Sequence, residues 1–288
     1  MNHPGFAVPA LACDCHMHIF GDPDIYPAAA RRAYDPTPME LDAYNAEAAR
    51  MGFGRVVFVQ PSAYGTDNSC MLDALQARGP SSRGVAVIDA ATDAAELADM
   101  AALGVRGVRL NLVSNGVPDP AAAIAELQAA ANRVRPLGWH VQIYARPALF
   151  TDLAPVVADL GVPVVVDHMG ATDGQLAAAR PGFDALLRML ADGVCWVKLS
   201  GANRVSRQAA GFTDAVPVIQ ALVAANPAQA VWGTDWPHIG PHVAGSPATV
   251  VYLPHDNLAL LHLLGAALPD AAQRQAVLVD NPARLYGF

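Results

Sequence analysis

The chain has 288 residues, of which 53% are hydrophobic and 15% charged, so it can bury one large core or two ordinary ones. Its formal net charge of -8, without any run of Lys or Arg, argues against nucleic acid or an anionic membrane as a partner. The beginning of the chain lacks the features of a secretion signal, no later run reaches the ~18 apolar residues of a membrane span, and we expect a cytoplasmic protein.

Short runs rich in β-branched residues alternate with longer Ala- and Leu-rich stretches along the chain. The predicted strands lie at Leu11–Ile19, Arg55–Gln60, Gly84–Ile88, Gly107–Leu110, Trp139–Tyr144, Val162–Asp167, Cys195–Leu199 and Ala230–Trp232. The predicted helices lie at Met39–Met51, Asn68–Arg78, Ala94–Leu103, Ala121–Leu137, Leu149–Leu160, Phe183–Ala191 and Ala215–Ala225. Several of these helices stop at a glycine, which is typical of a left-handed C-terminal cap.

This alternation predicts an α/β fold, a closed (β/α)8 TIM barrel that residues 1–288 form as a single domain. A doubly wound open sheet is the alternative, but no Gly-x-Gly-x-x-Gly motif follows the first strand. No linker, low-complexity segment or block of charge marks a second domain. Because such barrels keep their chemistry at the carboxyl ends of the strands, the residues that end each run are the candidates for a site.

The first predicted strand ends in His16-Met17-His18, and side chains that alternate between the faces of a strand would bring both imidazoles to one side. Cys13 and Cys15 are then expected to pack as small apolar residues on the opposite side. The other strand ends are polar as well. Their candidate residues are Gln60, Ser62, Arg109, Tyr144, Asp167, His168, Lys198, Ser200, Arg204 and Asp235.

These residue types suit the addition of water to an ester carbonyl. Asp235, ionised at neutral pH, is the natural base for the water, and the histidines, protonated or bound to a metal, would stabilise the oxyanion. Arg109 and Arg204 would bind an anionic substrate through forked hydrogen bonds. Water is the expected nucleophile, since no Ser or Cys lies in a Gly-x-Ser-x-Gly turn.

The motifs DCHMHIFG, RGVRLNL, VVVDHMG and GTDWPH resemble the amidohydrolase superfamily, in particular the branch that contains 2-pyrone-4,6-dicarboxylate lactonase. The resemblance runs from Asp14 to the terminal DNPARLYGF and implies a (β/α)8 barrel. It implies a catalytic centre of His16, His18, His168 and Asp235. In that branch no metal is required, and the alternative is one divalent ion, Zn or Mn, held by the same four residues.

The resemblance also implies the residues that hold the substrate carboxylates. These are Tyr34, Arg109, Tyr144 and Arg204, to which we add Ser62 as a candidate at the end of the second strand. The chain departs from the branch after the fourth strand, where a Lys-Arg pair is replaced by Ser114-Asn115. What replaces the missing arginine at Asn115 is left open.

We expect a hydrolase that opens an anionic lactone, resembling 2-pyrone-4,6-dicarboxylate or a related muconolactone or sugar-acid lactone, with water activated by Asp235. The alternative is a metal-dependent decarboxylase, sugar-acid lactonase or lactone isomerase of the same superfamily, and the third possibility is a non-catalytic binder of organic acids. The oligomeric state is open. Lys198, Ser200 and Asn68 are secondary candidates for the site, while His238, His242 and His255 are expected at the surface or in a lid.

Overall fold

The computed structural model describes residues 5–113, 119–173, 180–240 and 248–288, in which parallel strands join in sequence order into one eight-stranded sheet. The strands are β1 (Cys13–Met17), β2 (Arg55–Val59), β3 (Ser82–Ala86), β4 (Val105–Asn111), β5 (His140–Tyr144), β6 (Val164–Val166), β7 (Cys195–Leu199) and β8 (Ala230–Trp232). Each predicted strand is present, displaced by a few residues at most. Sequential order excludes the doubly wound alternative, in which the strand order reverses.

The sheet closes on itself just beyond the ends of β8 and β1. The backbone N–H of Asp235 donates to the carbonyl of His16 at 2.8 Å, and the N–H of His18 donates to the carbonyl of Trp236 at 2.9 Å. A parallel bridge between Met17 and Trp236 continues the same pairing. The predicted (β/α)8 barrel is therefore confirmed, and its closing seam runs through residues of the expected site.

The helices that the structure describes surround the barrel. They are α1 (Leu41–Met51), α2 (Ser69–Arg78), α3 (Ala94–Leu103), α4 (Pro120–Val134), α5 (Phe150–Ala158), α6 (Arg180–Ala191), α7 (Ala202–Val205), α8 (Val216–Ala225), α9 (Asn257–Ala267), α10 (Ala271–Gln275) and α11 (Asn281–Tyr286). Gly52 and Gly104 cap α1 and α3 with φ of 78° and 107°, as predicted. None of the described helices has the length and apolar character needed to cross a bilayer.

The inside of the barrel is filled by a small cluster that is separate from the larger core between sheet and helices. It contains Cys13 and Cys15 of β1, valines of the other strands, and the ring of Tyr286 from α11. Both cysteines thus face the inside of the barrel, below the histidines, and the expectation that they lie on the opposite side was wrong. The reason is a bulge in β1, where Asp14 to Met17 pair with only Val56 to Phe58 of β2.

Candidate active site

Three imidazoles and one carboxylate meet at the carboxyl ends of β1, β6 and β8. The Oδ1 atom of Asp235 lies 3.7 Å from Nε2 of His16, 3.6 Å from Nε2 of His18 and 3.8 Å from Nε2 of His168. All four residues are buried. Asp235 Oδ1 accepts no hydrogen bond from any part of the chain that the structure describes. The four residues predicted as the catalytic centre are therefore brought together.

Two of these four residues adopt a backbone conformation that favours glycine. The φ angle is 63° at Asp235 and 52° at His168. A left-handed conformation costs a residue with a side chain roughly 1–2 kcal/mol, and such strain is concentrated at functional sites. In both cases it turns the side chain of a residue that follows a strand back over the mouth of the barrel.

Asp235 is held in its ionised form by an arginine. Arg204, in the short helix α7, donates from Nε to Asp235 Oδ2 at 2.7 Å. Burial alone would raise the pKa of Asp235, but the charge of Arg204 and the neighbouring His168 hold that pKa well below its usual range. Arg204 was predicted to bind substrate, and it also contacts the predicted base directly.

The protonation of His18 follows from one contact. Its Nδ1 lies 2.7 Å from the carbonyl oxygen of Val59, which only accepts hydrogen bonds, so Nδ1 carries a proton. The other nitrogen, Nε2, faces the carboxylate of Asp235. His18 therefore either carries a second proton, donated toward Asp235, or presents a lone pair that a cation would take.

The other two histidines are held in the neutral form. Burial lowers the pKa of His168 to about 4, and its Nδ1 contacts Ser200 Oγ at 3.0 Å. Burial also lowers the pKa of His16 well below its usual value, even though Asp167 Oδ1 lies 3.3 Å from its Nδ1. Burial therefore favours the neutral imidazole at both His16 and His168.

A charged network of strand-end residues, whose pairing the sequence did not predict, lies below these imidazoles. Asp167 Oδ2 accepts from Arg109 Nε and from Gln142 Nε2, both at 3.0 Å. Lys198 donates to Gln142 Oε1 at 2.6 Å and lies 3.9 Å from Asp167 Oδ1. Burial would raise the pKa of Asp167, but the nearby His16, Arg109 and Lys198 hold it well below its usual range. The position of Asp167, one residue before His168, was the available signal for its role.

Burial also shifts the charge of Lys198 toward neutrality. It lowers the pKa of this lysine to about 8, with the carboxylate of Asp167 opposing the shift. Its ammonium group also donates to the carbonyl of Cys15 at 2.7 Å and lies 3.4 Å from His16 Nδ1. Lys198 therefore lies below the imidazoles, and within the described residues it supports the site rather than lining its cavity.

Asp14 supports the site although it was not among the predicted site residues. Its carboxylate accepts from the backbone N–H of Thr234 at 2.9 Å, from the hydroxyl of Thr234 at 2.6 Å and from the hydroxyl of Tyr44 at 3.1 Å. Asp14, two residues before the His-x-His motif, thus ties the chain just after β8 to β1. It aligns Asp235 with the two histidines without facing the cavity.

A narrow cavity of about 30 Å³ opens directly above Asp235. All five predicted substrate-binding residues line it, together with His18, His168 and Asp235; the five are Tyr34, Ser62, Arg109, Tyr144 and Arg204. Asn111, a polar residue at the end of β4, and Ile239 line it as well, and neither was predicted to bind the substrate. The cavity combines two guanidinium groups with two phenols around the carboxylate.

Two secondary expectations need correction, those for His238 and Asn68. His238 is buried rather than exposed, with Nε2 2.9 Å from Asn257 Oδ1, because its backbone N–H closes the turn at Asp235. Asn68 does not line the cavity, because its side chain binds the backbone of Thr66 and Val87. His255 is half-buried, and His242 and Asn115 lie outside the described residues.

Comparison with known proteins shows the family. A family model described as amidohydrolase matches residues 13–288. A 4-sulfomuconolactone hydrolase of Rhizobium radiobacter is 33% identical over 283 residues, 98% of this chain and 92% of that protein. A 2-pyrone-4,6-dicarboxylate hydrolase of Comamonas testosteroni is 35% identical over 294 residues, 99% and 93% of the two chains. An apo crystal structure from Agrobacterium tumefaciens superposes with a TM-score of 0.83 at 27% identity, covering 98% of this chain and 97% of the other.

Proposed function

The chain belongs to the amidohydrolase family, as its motifs predicted, and on this premise we propose that it hydrolyses an anionic lactone in the cytoplasm. The observation that carries the proposal is the carboxylate of Asp235 at the centre of three imidazoles, in a cavity lined by two arginines. The two curated relatives open a muconolactone and a pyrone dicarboxylate by their names. The substrate class is therefore a lactone ring that carries at least one acidic group.

The proposed reaction begins with water beside Asp235. The ionised carboxylate accepts a proton from the water while the water oxygen attacks the lactone carbonyl. The oxyanion that forms is stabilised by groups that already face this point, with His18 as a donor if its Nε2 carries a proton. Arg109 and Arg204, with the phenols of Tyr34 and Tyr144, hold the acidic group of the substrate. Collapse of the tetrahedral intermediate breaks the ring C–O bond, the departing ring oxygen takes the proton that Asp235 accepted, and the open-chain acid forms with the carboxylate of Asp235 regenerated.

The donor set also fits one divalent cation. His16, His18 and Asp235 offer ligand atoms within 4.8 Å of one another, and Asp235 Oδ1 and His16 Nε2 accept or donate no hydrogen bond among the described residues. Imidazole and carboxylate are ligands that zinc and manganese accept. A bound ion would be held by His16, His18, His168 and Asp235 and would supply Lewis-acid activation of water.

The test is the loss of pyrone absorbance when chelator-treated protein is mixed with 2-pyrone-4,6-dicarboxylate near neutral pH. We expect turnover, and we expect Asp235→Asn to lower it about 100-fold to 10,000-fold because the base is lost. Asp35→Asn, which removes a carboxylate that lines neither this cavity nor the next one along the barrel mouth, should keep normal turnover. Near-normal turnover of the Asp235 variant would refute the proposed role of this residue.

The same assay separates the metal-dependent alternative. If chelator-treated protein is inactive and zinc or manganese restores turnover, the reaction depends on the ion. Inactivity under both conditions would indicate that the substrate is another lactone, such as a muconolactone or a sugar-acid lactone. Saturable binding of such acids without any product would instead favour the non-catalytic binder.

A further inference from the structure

The cavity above Asp235 is too small to contain a whole substrate. A cavity needs about 10–15 Å³ to hold one water molecule. A volume of about 30 Å³ therefore admits a water molecule and a carbonyl oxygen but no ring. A second cavity, of about 420 Å³, lies beside it and shares Ser62, Arg109 and Asn111 as a common wall. The body of the substrate therefore has room in the second cavity while its reacting carbonyl reaches the first.

The second cavity is lined by an arginine that is unpaired among the described residues. Arg31 lines it, is exposed, and makes no ion pair or hydrogen bond with any residue of the described ranges. By contrast, the neighbouring Arg32 pairs with Asp35 and lines neither cavity. The other guanidinium of the second cavity, that of Arg109, pairs with Asp167 through Nε and lies on the wall shared with the first cavity, at the reacting end. Arg31 is thus the cation of this cavity that lies away from the shared wall and is unpaired among the described residues.

Two further groups on the wall limit what the second cavity accepts. Gln60 is fully buried, donates through Nε2 to the carbonyls of Gly65 and Asp67, and leaves Oε1 without a hydrogen bond among the described residues. Glu126 is the one carboxylate that lines this cavity in the described part of the chain, and it repels an anion from its own side. An anionic group is therefore directed toward Arg31.

We propose that Arg31 binds a second anionic group of the substrate, so that the preferred lactones carry two separated acidic groups. The inference rests on the proposed function only in assuming that the ligand is a lactone. After β4 this chain has Ser114-Asn115 where the resembling branch has a Lys-Arg pair, and Arg31 supplies the positive charge that is missing there. The first acidic group lies near Arg204, at the reacting end, and the second lies at the far end of the shared wall.

The test measures binding without turnover, by titration calorimetry with ligands that contain no ester. Benzoate carries one carboxylate, while isophthalate and terephthalate carry two at different separations. We expect at least one of the dianions to bind wild-type protein about tenfold more tightly than benzoate, because a charge-assisted pair forms with Arg31. Arg31→Gln should abolish this advantage and leave the affinity for benzoate unchanged. Added salt should reduce the advantage, since the pair is exposed.

Arg32→Gln is the matched control, because it removes the same charge one position further along the chain and should keep the dianion advantage. A dianion advantage that survives Arg31→Gln, or that is absent from wild-type protein for both dianions, would overturn the inference. Loss of the advantage in Arg32→Gln would show a general charge effect and would overturn it too. A protein that binds as expected but opens no lactone would refute the proposed function and leave the subsite in place.

Discussion

Replacement of Asp167 by Asn should destabilise the protein strongly, because this carboxylate is the anion that compensates two buried cations. Arg109 and Lys198 are 5% and 0% exposed in their ion pairs with it, and Asp167 itself is fully buried. Removing one partner of a buried pair costs about 3–5 kcal/mol, since the other charge stays behind without compensation. Lys198 can lose its proton, because its pKa is already lowered to about 8, so Arg109 carries most of the cost. We therefore expect a loss of about 3 kcal/mol in the free energy of unfolding, at the lower end of that range.

Urea denaturation at pH 7 measures this change. Asp173→Asn is the control, because Asp173 pairs with Arg207 at the surface, and its denaturation midpoint should equal that of wild type. Asp167→Glu should retain more stability than Asp167→Asn, because it keeps the charge at the cost of strained packing. A loss below about 1 kcal/mol in Asp167→Asn, or equal losses in the Asn and Glu variants, would show that the charge is not what matters.

Two further predictions concern the metal and a buried histidine. If the protein is isolated with a divalent ion, elemental analysis should find about one ion per chain, and the His16→Ala and His18→Ala variants should lose it; retention in both would exclude this site. Burial lowers the pKa of His140 to about 3. As the pH falls below about 6.5, this histidine therefore takes up a proton in the unfolded state but not in the folded state. The folded state loses about 2 kcal/mol of stability by pH 5 as a result. His140→Gln removes this loss, and its stability difference from wild type should become about 2 kcal/mol more favourable at pH 5 than at pH 8; a difference independent of pH would contradict the assignment.

The barrel and the meeting of His16, His18, His168 and Asp235 could be predicted, because each follows from a local pattern and one rule of the fold. Apolar runs that end in polar residues give strands, and parallel strands in a barrel bring those ends together. The bulge in β1 could not be predicted, since it has no residue signature here, and it moved Cys15 to the inside of the barrel. The roles of the four residues remain proposals.

The ion pairs that Asp167 forms with Arg109 and Lys198 could not be predicted either. Arg109 was expected to bind substrate, and its contact with Asp167 joins residues 58 positions apart, which no periodicity reveals. His238 was expected at the surface because it follows the last strand, but the turn at Asp235 folds it inward. Both depend on the path of the backbone after a strand ends, and side-chain type alone does not determine that path.

The seam between β8 and β1 means that this site cannot form before most of the chain is present. Asp14 and Thr234, whose contact joins the two strands, are 220 positions apart in the chain. During synthesis His16 emerges early and lacks both the carboxylate of Asp235 and its backbone partner until residues near Asp235 arrive. Closing so long a loop costs entropy that only the finished sheet repays. A nascent chain that ends before Asp235 therefore lacks the complete site, and enzymatic activity reports that the barrel has closed.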